Sequence, residues 1–157
     1  MKPRLRPATA ADAPRVADIL IATRAAFMPY APSAHPEHEV RAWVASQLVP
    51  SGGVVVAEAE DNVVAVMATS TEDRNSWITQ MSVDPSLVGR GIGSGLLAHA
   101  LKTLGRPICL YTFQENRGAR RFYERHGFVA VEFTDGQGNE ERCPDVLYEL
   151  NASRTEA

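Results

Sequence analysis

Four glycines fall within seven residues, at Gly89, Gly91, Gly93 and Gly95, and the stretch "VGRGIGSGLLAHAL" then becomes apolar and helix-favouring. The segment ahead of it, "SWITQMSV", has strand composition, so the glycines mark a strand-to-helix loop. Glycines at alternate positions let the backbone approach a ligand with no side chains in between. Successive N–H groups of such a loop, with the free N–H groups of the helix start, form an anion nest. The helix dipole adds about 0.3–1 kcal/mol for a nearby negative charge. Two nucleotide patterns fail on residue identity. A Walker A loop ends in Gly-Lys-Ser/Thr, and no lysine occurs between Val83 and Leu101. A G-x-G-x-x-G fingerprint meets Ser94 or Leu96 where its third glycine should stand. A glycine-rich turn that serves close packing is the plain structural alternative, and Gly95, inside the helix, reads that way.

The rest of the chain surrounds this loop with a mixture of periods. Residues 3–7 read as a short strand, and Thr9 with Asp12 forms a near capping box. Val16, Ile19, Leu20 and Phe27 share one side of a first helix; Val40, Trp43, Val44 and Leu48 mark a second. "GVVVAEA", "NVVAVMATS" and "SWITQMSV" read as three strands, the first two joined by a tight turn at Asp61–Asn62. The post-glycine helix points Leu96, Leu97, Ala100, Leu101 and Leu104 inward, and Gly105 is its expected left-handed stop. "RPICLYTF" is a further strand, Asn116 caps a last helix ending at His126–Gly127, and "FVAVEFT" and "DVLYEL" are the final two strands. The order is β-α-α-β-β-β-α-β-α-β-β. Its β-α-β units at 76–113 and 107–134 imply locally parallel strands, while its hairpins demand antiparallel ones. The expected fold is α/β (α+β): a mixed, mostly antiparallel central sheet of about seven strands with helices on both faces.

Bulk properties narrow the class. A length of 157 residues indicates one domain, 1–157, with no need of a disulfide or metal staple. The net charge of −3 argues against nucleic acid, whose phosphates need a basic face. Cys109 lies in an apolar run and reads as a packed reduced thiol; Cys143 precedes Pro144 in a polar loop with no ligand partner at metal spacing. No signal region or membrane span is visible, so a cytoplasmic location, no membrane and no metal are expected.

"VDPSLVGRGIGSGLL" together with "ENRGARRFYERHGF" resembles the GNAT superfamily of acetyl-CoA-dependent N-acetyltransferases. The resemblance is specific over residues 76–134 and looser over the whole element order. It implies that Val88, Gly89, Arg90, Gly91, Ile92, Gly93 and Ser94 hold the pyrophosphate of acetyl-CoA, with Val88 replacing the family's usual Gln or Arg. It implies that the backbone of Met81, Ser82 and Val83 holds the pantetheine arm and that Asn116 hydrogen-bonds it. Tyr123 takes the place of the family's general acid for the departing thiolate, a role typically contributing about 10²–10⁴-fold. The resemblance further implies that a backbone N–H near Val83 polarises the carbonyl. Packing of Tyr123 with Phe122 and Phe128 is the alternative reading of that tyrosine.

The base for the acceptor amine has no clear position. Where some relatives carry glutamate, this chain has Tyr111, and the strand before the glycines offers Gln80. A lysine-like amine (pKa ~10.4) costs about 4–5 kcal/mol to deprotonate at neutral pH, an α-amino group about 1 kcal/mol. Water held by Tyr111 or Gln80 is one route. The other is an acid from "TDGQGNEERCPD", which holds Asp135, Glu140, Glu141 and Asp145, and Glu141 is the candidate. His35 and His38 are more distant options, and the acidic loop could equally serve a homodimer contact. The expected function is acetyl transfer from acetyl-CoA, as co-substrate, to a primary amine of a small molecule or protein. The rival expectations are a non-catalytic acyl-CoA sensor and a nucleotide binder.

Overall fold

The computed structural model describes residues 2–151, so Met1 and residues 152–157, at the ends of the expected 1–157 domain, lie outside the described residues. The elements are β1 (Arg4–Pro7), α1 (Ala13–Phe27), α2 (Glu37–Trp43), β2 (Val54–Ala59), β3 (Asn62–Glu72), β4 (Asn75–Val83), α3 (Ile92–Thr103), β5 (Ile108–Phe113), α4 (Arg117–Arg125), β6 (Val129–Phe133) and β7 (Asp145–Leu150). The strands form one sheet in the order β1-β2-β3-β4-β5-β7-β6. Four pairings, β1–β2, β2–β3, β5–β7 and β6–β7, are antiparallel, and β4–β5 is parallel. The sheet is thus mixed and mostly antiparallel. Both expected β-α-β units give strands of the same direction: β4 and β5 pair parallel, and β5 and β6, each antiparallel to β7, run parallel to one another on either side of it. The terminal hairpin returns β7 into the gap between β5 and β6, where it pairs antiparallel with both.

Among the described residues the chain divides into two compact units. One runs up to Thr69 and takes in Gln80–Thr103; the other combines Ser70–Thr79 with the residues from Leu104 on. In the first unit, Thr9 N–H donates to Asp12 Oδ2 at 2.7 Å, the reciprocal half of a capping box. Pro14 then stands in the first turn of α1, where its missing N–H costs nothing. Val16, Ala17 and Ile19 of α1 pack with Val44, Leu48, Val54, Val56, Val63 and Val66. Trp43, expected on that face, stays exposed. The α-helical bonding stops there and a π-helical turn, Val44–Leu48, follows. Val44 and Leu48, at the two ends of that turn, enter the core as expected.

A bulge explains how Val63 and Val66, three residues apart on one strand, reach the same cluster. The β2–β3 register jumps from Ala57↔Ala65 to Glu58↔Val63, leaving Val64 as the extra residue. The turn of this hairpin is Glu60–Asp61, one residue earlier than expected, with φ of 52° and 63°. Two positive φ values are what a two-residue turn of the favoured twist requires.

In the second unit, Tyr148 lies opposite Leu110 and Ala130 and is fully buried. The β6–β7 loop is a built element. Asn139 accepts from Cys143 N–H at 3.1 Å and donates to its carbonyl at 2.7 Å. Cys143 is therefore buried rather than displayed on a polar loop. Gly105, two residues past the end of α3 at Thr103, does not take the left-handed conformation expected of it; its carbonyl accepts the Ser76 hydroxyl at 2.7 Å.

Candidate functional site

The glycine loop belongs to the first unit. β4 ends with half-buried Met81, buried Ser82 and half-buried Val83, and a 3-10 turn, Pro85–Leu87, leads to Val88. Val88 and Arg90 are exposed. Gly89 and Gly91 have φ of 81° and 83°, and a Cβ at either would meet nothing within 4 Å. Both positions thus require glycine for conformation, and both open onto free space. Gly95 N–H donates to Gly91 carbonyl at 3.0 Å, the first bond of α3. The amides of Ile92, Gly93 and Ser94 precede that bond and have no acceptor within the helix. Ile92, Leu96, Leu97 and Ala100 anchor the opposite side of α3 in the core. Gly95 is exposed, with nothing within 4 Å of a Cβ built there. The expectation that it serves close packing is corrected.

The second unit carries the aromatic acid candidate. Asn116 caps α4, its Oδ1 accepting Ala119 N–H at 3.2 Å. Tyr123 follows seven residues later, two turns along and on the same face. Its ring packs edge-on to Phe122 at 5.1 Å and Phe128 at 5.7 Å. The aromatic packing weighed against a catalytic role is therefore present. Burial pushes the Tyr123 phenol well above the ordinary tyrosine range, so the hydroxyl keeps its proton at neutral pH. Arg120 and Glu124, one turn apart on α4, both bond the hydroxyl of Tyr148.

The sheet of this unit presents a feature the sequence reading missed. Trp77 pairs with Cys109 across β4–β5, so Tyr111, two residues on, shares its face. The two rings stack at 5.8 Å and 12°. Only the strand register, given the period of two, could have brought them together. Burial and then the charges of Glu132 and Asp145 raise the Tyr111 phenol.

The acidic loop resolves into separate roles. Asp145 is buried; its carboxylate accepts from the Thr134 hydroxyl and from Asn139 Nδ2. Asp135 accepts Gln137 N–H at 3.0 Å in a local turn. Glu140 is exposed and Glu141 half-buried. His35 lies 3.2 Å from Glu39 on the exposed start of α2. Arg15 on α1 and Asp84 at the end of β4 form an ion pair at 2.7 Å that no local sequence signal announces.

Residues 20–128 match the model of the Acetyltransferase (GNAT) family. Over 63 residues the chain is 43% identical to an uncharacterized N-acetyltransferase of Methanocaldococcus jannaschii, covering 38% of this chain and 28% of that protein. The match thus spans less than a third of that relative. A GNAT-family acetyltransferase of Bacillus cereus has the same fold at a TM-score of 0.76 and 15% identity, covering 98% of this chain and 100% of that one. The PaiA N-acetyltransferase of Thermoplasma acidophilum, solved in complex with coenzyme A, aligns at 0.76 with 16% identity, covering 96% and 99%. One family model spans the glycine loop, the Asn116 cap and Tyr123 together, and the chain belongs to the acetyltransferase (GNAT) family.

Proposed function

We propose that this chain works as a single N-acetyltransferase domain that passes the acetyl group of acetyl-CoA directly to a primary amine of a small molecule or protein. The observation that carries the reading is the left-handed pair Gly89 and Gly91, with nothing within 4 Å of a Cβ at either, followed by first-turn amides of α3 that have no acceptor within the helix. That arrangement suits a pyrophosphate, whose oxygens take N–H donors with no side chain in the way. Val88, Arg90, Ile92, Gly93 and Ser94 complete the cradle; Met81, Ser82, Val83 and Asn116 hold the pantetheine arm. No helix among the described residues is long and apolar enough to cross a membrane.

In the reaction the amine nitrogen attacks the thioester carbonyl carbon, the new C–N bond forms, and the C–S bond breaks. A backbone N–H near Val83 stabilises the developing oxyanion. Tyr123 gives its proton to the departing thiolate. A thiol has an ordinary pKa near 8.5, so the phenol, held above 10, transfers uphill. At about 1.36 kcal/mol per unit this favours transfer concerted with C–S cleavage. Glu141 takes the proton the amine loses.

The test is release of free coenzyme A thiol from acetyl-CoA across a panel of small primary amines and peptides with free α-amino or lysine groups. Turnover on one member is expected. Binding of acetyl-CoA with no thiol release on any amine would replace this reading by that of an acyl-CoA sensor.

A further inference from the structure

Two carbonyls at the bulge in β3 are taken up by residues that meet at the end of β4. Val63 carbonyl accepts Arg15 Nε at 2.8 Å, and Val64 carbonyl accepts Asp84 N–H at 2.8 Å. Arg15 Nη2 then donates to Asp84 Oδ2 at 2.7 Å, closing a ring of four residues from α1, β3 and the end of β4. The other carboxylate oxygen of Asp84 accepts from Ser86 N–H at 2.9 Å and Ser86 Oγ at 2.8 Å, and its carbonyl accepts Leu87 N–H at 2.8 Å. Asp84 thus directs the chain on both sides. It ties the strand behind it to the bulge and α1, and it caps the turn that delivers residues 88–91.

From this geometry we infer that Arg15 and Asp84 are a positioning pair that sets the exit of the chain from β4 into the glycine cradle, and so sets affinity for the pyrophosphate of the acyl donor. The inference rests on the reading that residues 88–94 hold that pyrophosphate. Arg15 suits the role because a guanidinium reaches a carbonyl and a carboxylate at once in a fixed plane, which an ammonium cannot do with the same geometry. If Asp84 acted only as a cap, asparagine would serve, since its side-chain oxygen still accepts Ser86 N–H.

The experiment measures coenzyme A binding by calorimetry, and KM for acetyl-CoA against kcat, for the unsubstituted chain, R15K, R15M, D84N and the R15M/D84N double variant, with melting temperatures alongside. R15M and D84N are each expected to raise Kd and KM about 10-fold with kcat within about twofold; R15K falls between. The double variant is expected to bind no more weakly than the weaker single one, because both act through one contact. R15K keeps the charge and guards against a variant that fails to fold. Lowered melting temperature with unchanged Kd and KM in D84N and R15K overturns the inference, as do losses that simply add in the double variant. Failure of the unsubstituted chain to bind coenzyme A overturns the cradle reading and this inference with it; binding by that chain with equal binding by the variants overturns this inference alone.

Discussion

Tyr148 on β7 donates its phenolic hydrogen to Glu124 Oε2 on α4 at 2.6 Å, and accepts one from Arg120 Nε at 3.1 Å. The tyrosine is fully buried, and its two partners stand one helical turn apart, so a single hydroxyl fixes both the height and the rotation of α4. The Tyr148 ring also lies 6.3 Å from that of Tyr123. Y148F keeps the ring packing and deletes only the hydroxyl. Glu124 is exposed and rehydrates, so the expected loss is about 1.5 kcal/mol, the lower end of the range for bonds to charged groups. Urea unfolding measures it; an unchanged midpoint with unchanged slope would show that the clamp contributes nothing.

Y123F tests the general acid. Its ring can keep the edge contacts with Phe122 and Phe128, so a folded protein with an unchanged melting temperature is expected. On the amine identified in the panel, kcat should fall about 100-fold, within the usual span for general acids, with KM for acetyl-CoA little altered. The sign of the pH dependence follows from burial. Desolvation disfavours the phenolate and raises its pKa above the ordinary 10, so the proton stays available and the unsubstituted chain should show no alkaline fall from this group below pH 10. A descending limb near pH 8 that disappears in Y123F would contradict the burial argument.

How much of this was readable from the chain depends on the range of each interaction. The glycine loop is legible because backbone conformation alone demands glycine at Gly89 and Gly91, and the Asn116 cap because its bond closes within three residues. The hairpins and the β4–β5 crossover follow from period and connection length. Arg15 and Asp84 are 69 residues apart and carry no local signature, and the position of β7 between β5 and β6 is a long-range choice that period cannot express. Gly95, read as a packing glycine, and Gly105, read as a left-handed stop, mislead because surroundings and φ are set by the tertiary structure: the first sits on an exposed helical surface with nothing to pack against, and the second keeps out of the left-handed region.

E141Q addresses the proton acceptor. If Glu141 takes the amine proton, kcat/KM should drop about 100-fold, while acetyl-CoA binding is retained. E140Q serves as the neighbouring control. An unchanged kcat/KM in E141Q would remove Glu141 as the acceptor.

Acid stability should report on the pair Arg6–Asp12. Arg6 holds Asp12 with two bonds, at 2.8 and 3.0 Å, and Thr9 N–H adds a third at 2.7 Å. These lower the Asp12 carboxyl from 3.8 to about 2, against the opposing effect of burial. A depressed folded pKa stabilises above the unfolded value and is lost as pH falls from 3.8 through 2. The contribution at pH 6 is at most about 2.4 kcal/mol at 1.36 kcal/mol per unit. D12N should therefore be less stable than the unsubstituted chain at pH 6, and the gap in urea midpoint should shrink by pH 2.5. A gap independent of pH would assign the cost of D12N to packing or capping.

The same substitution should act with opposite sign at two glycines four residues apart. Gly91 has φ of 83°, a conformation that costs an L-residue about 1–2 kcal/mol. G91A has no steric clash to meet, so its strain can relax only by moving the cradle. Coenzyme A affinity should then weaken about 10-fold with modest loss of stability. Gly95 is helical and exposed with open space around it, so G95A should stabilise by about 0.5–1 kcal/mol through restricted unfolded-state freedom. Gly95 N–H already bonds the Gly91 carbonyl and offers no donor to the anion, so coenzyme A affinity should be unchanged in G95A. Calorimetry on both variants decides the point. Equal weakening at both positions would mean that the anion reaches farther along α3 than its first turn, and equal indifference would remove the pyrophosphate from this loop.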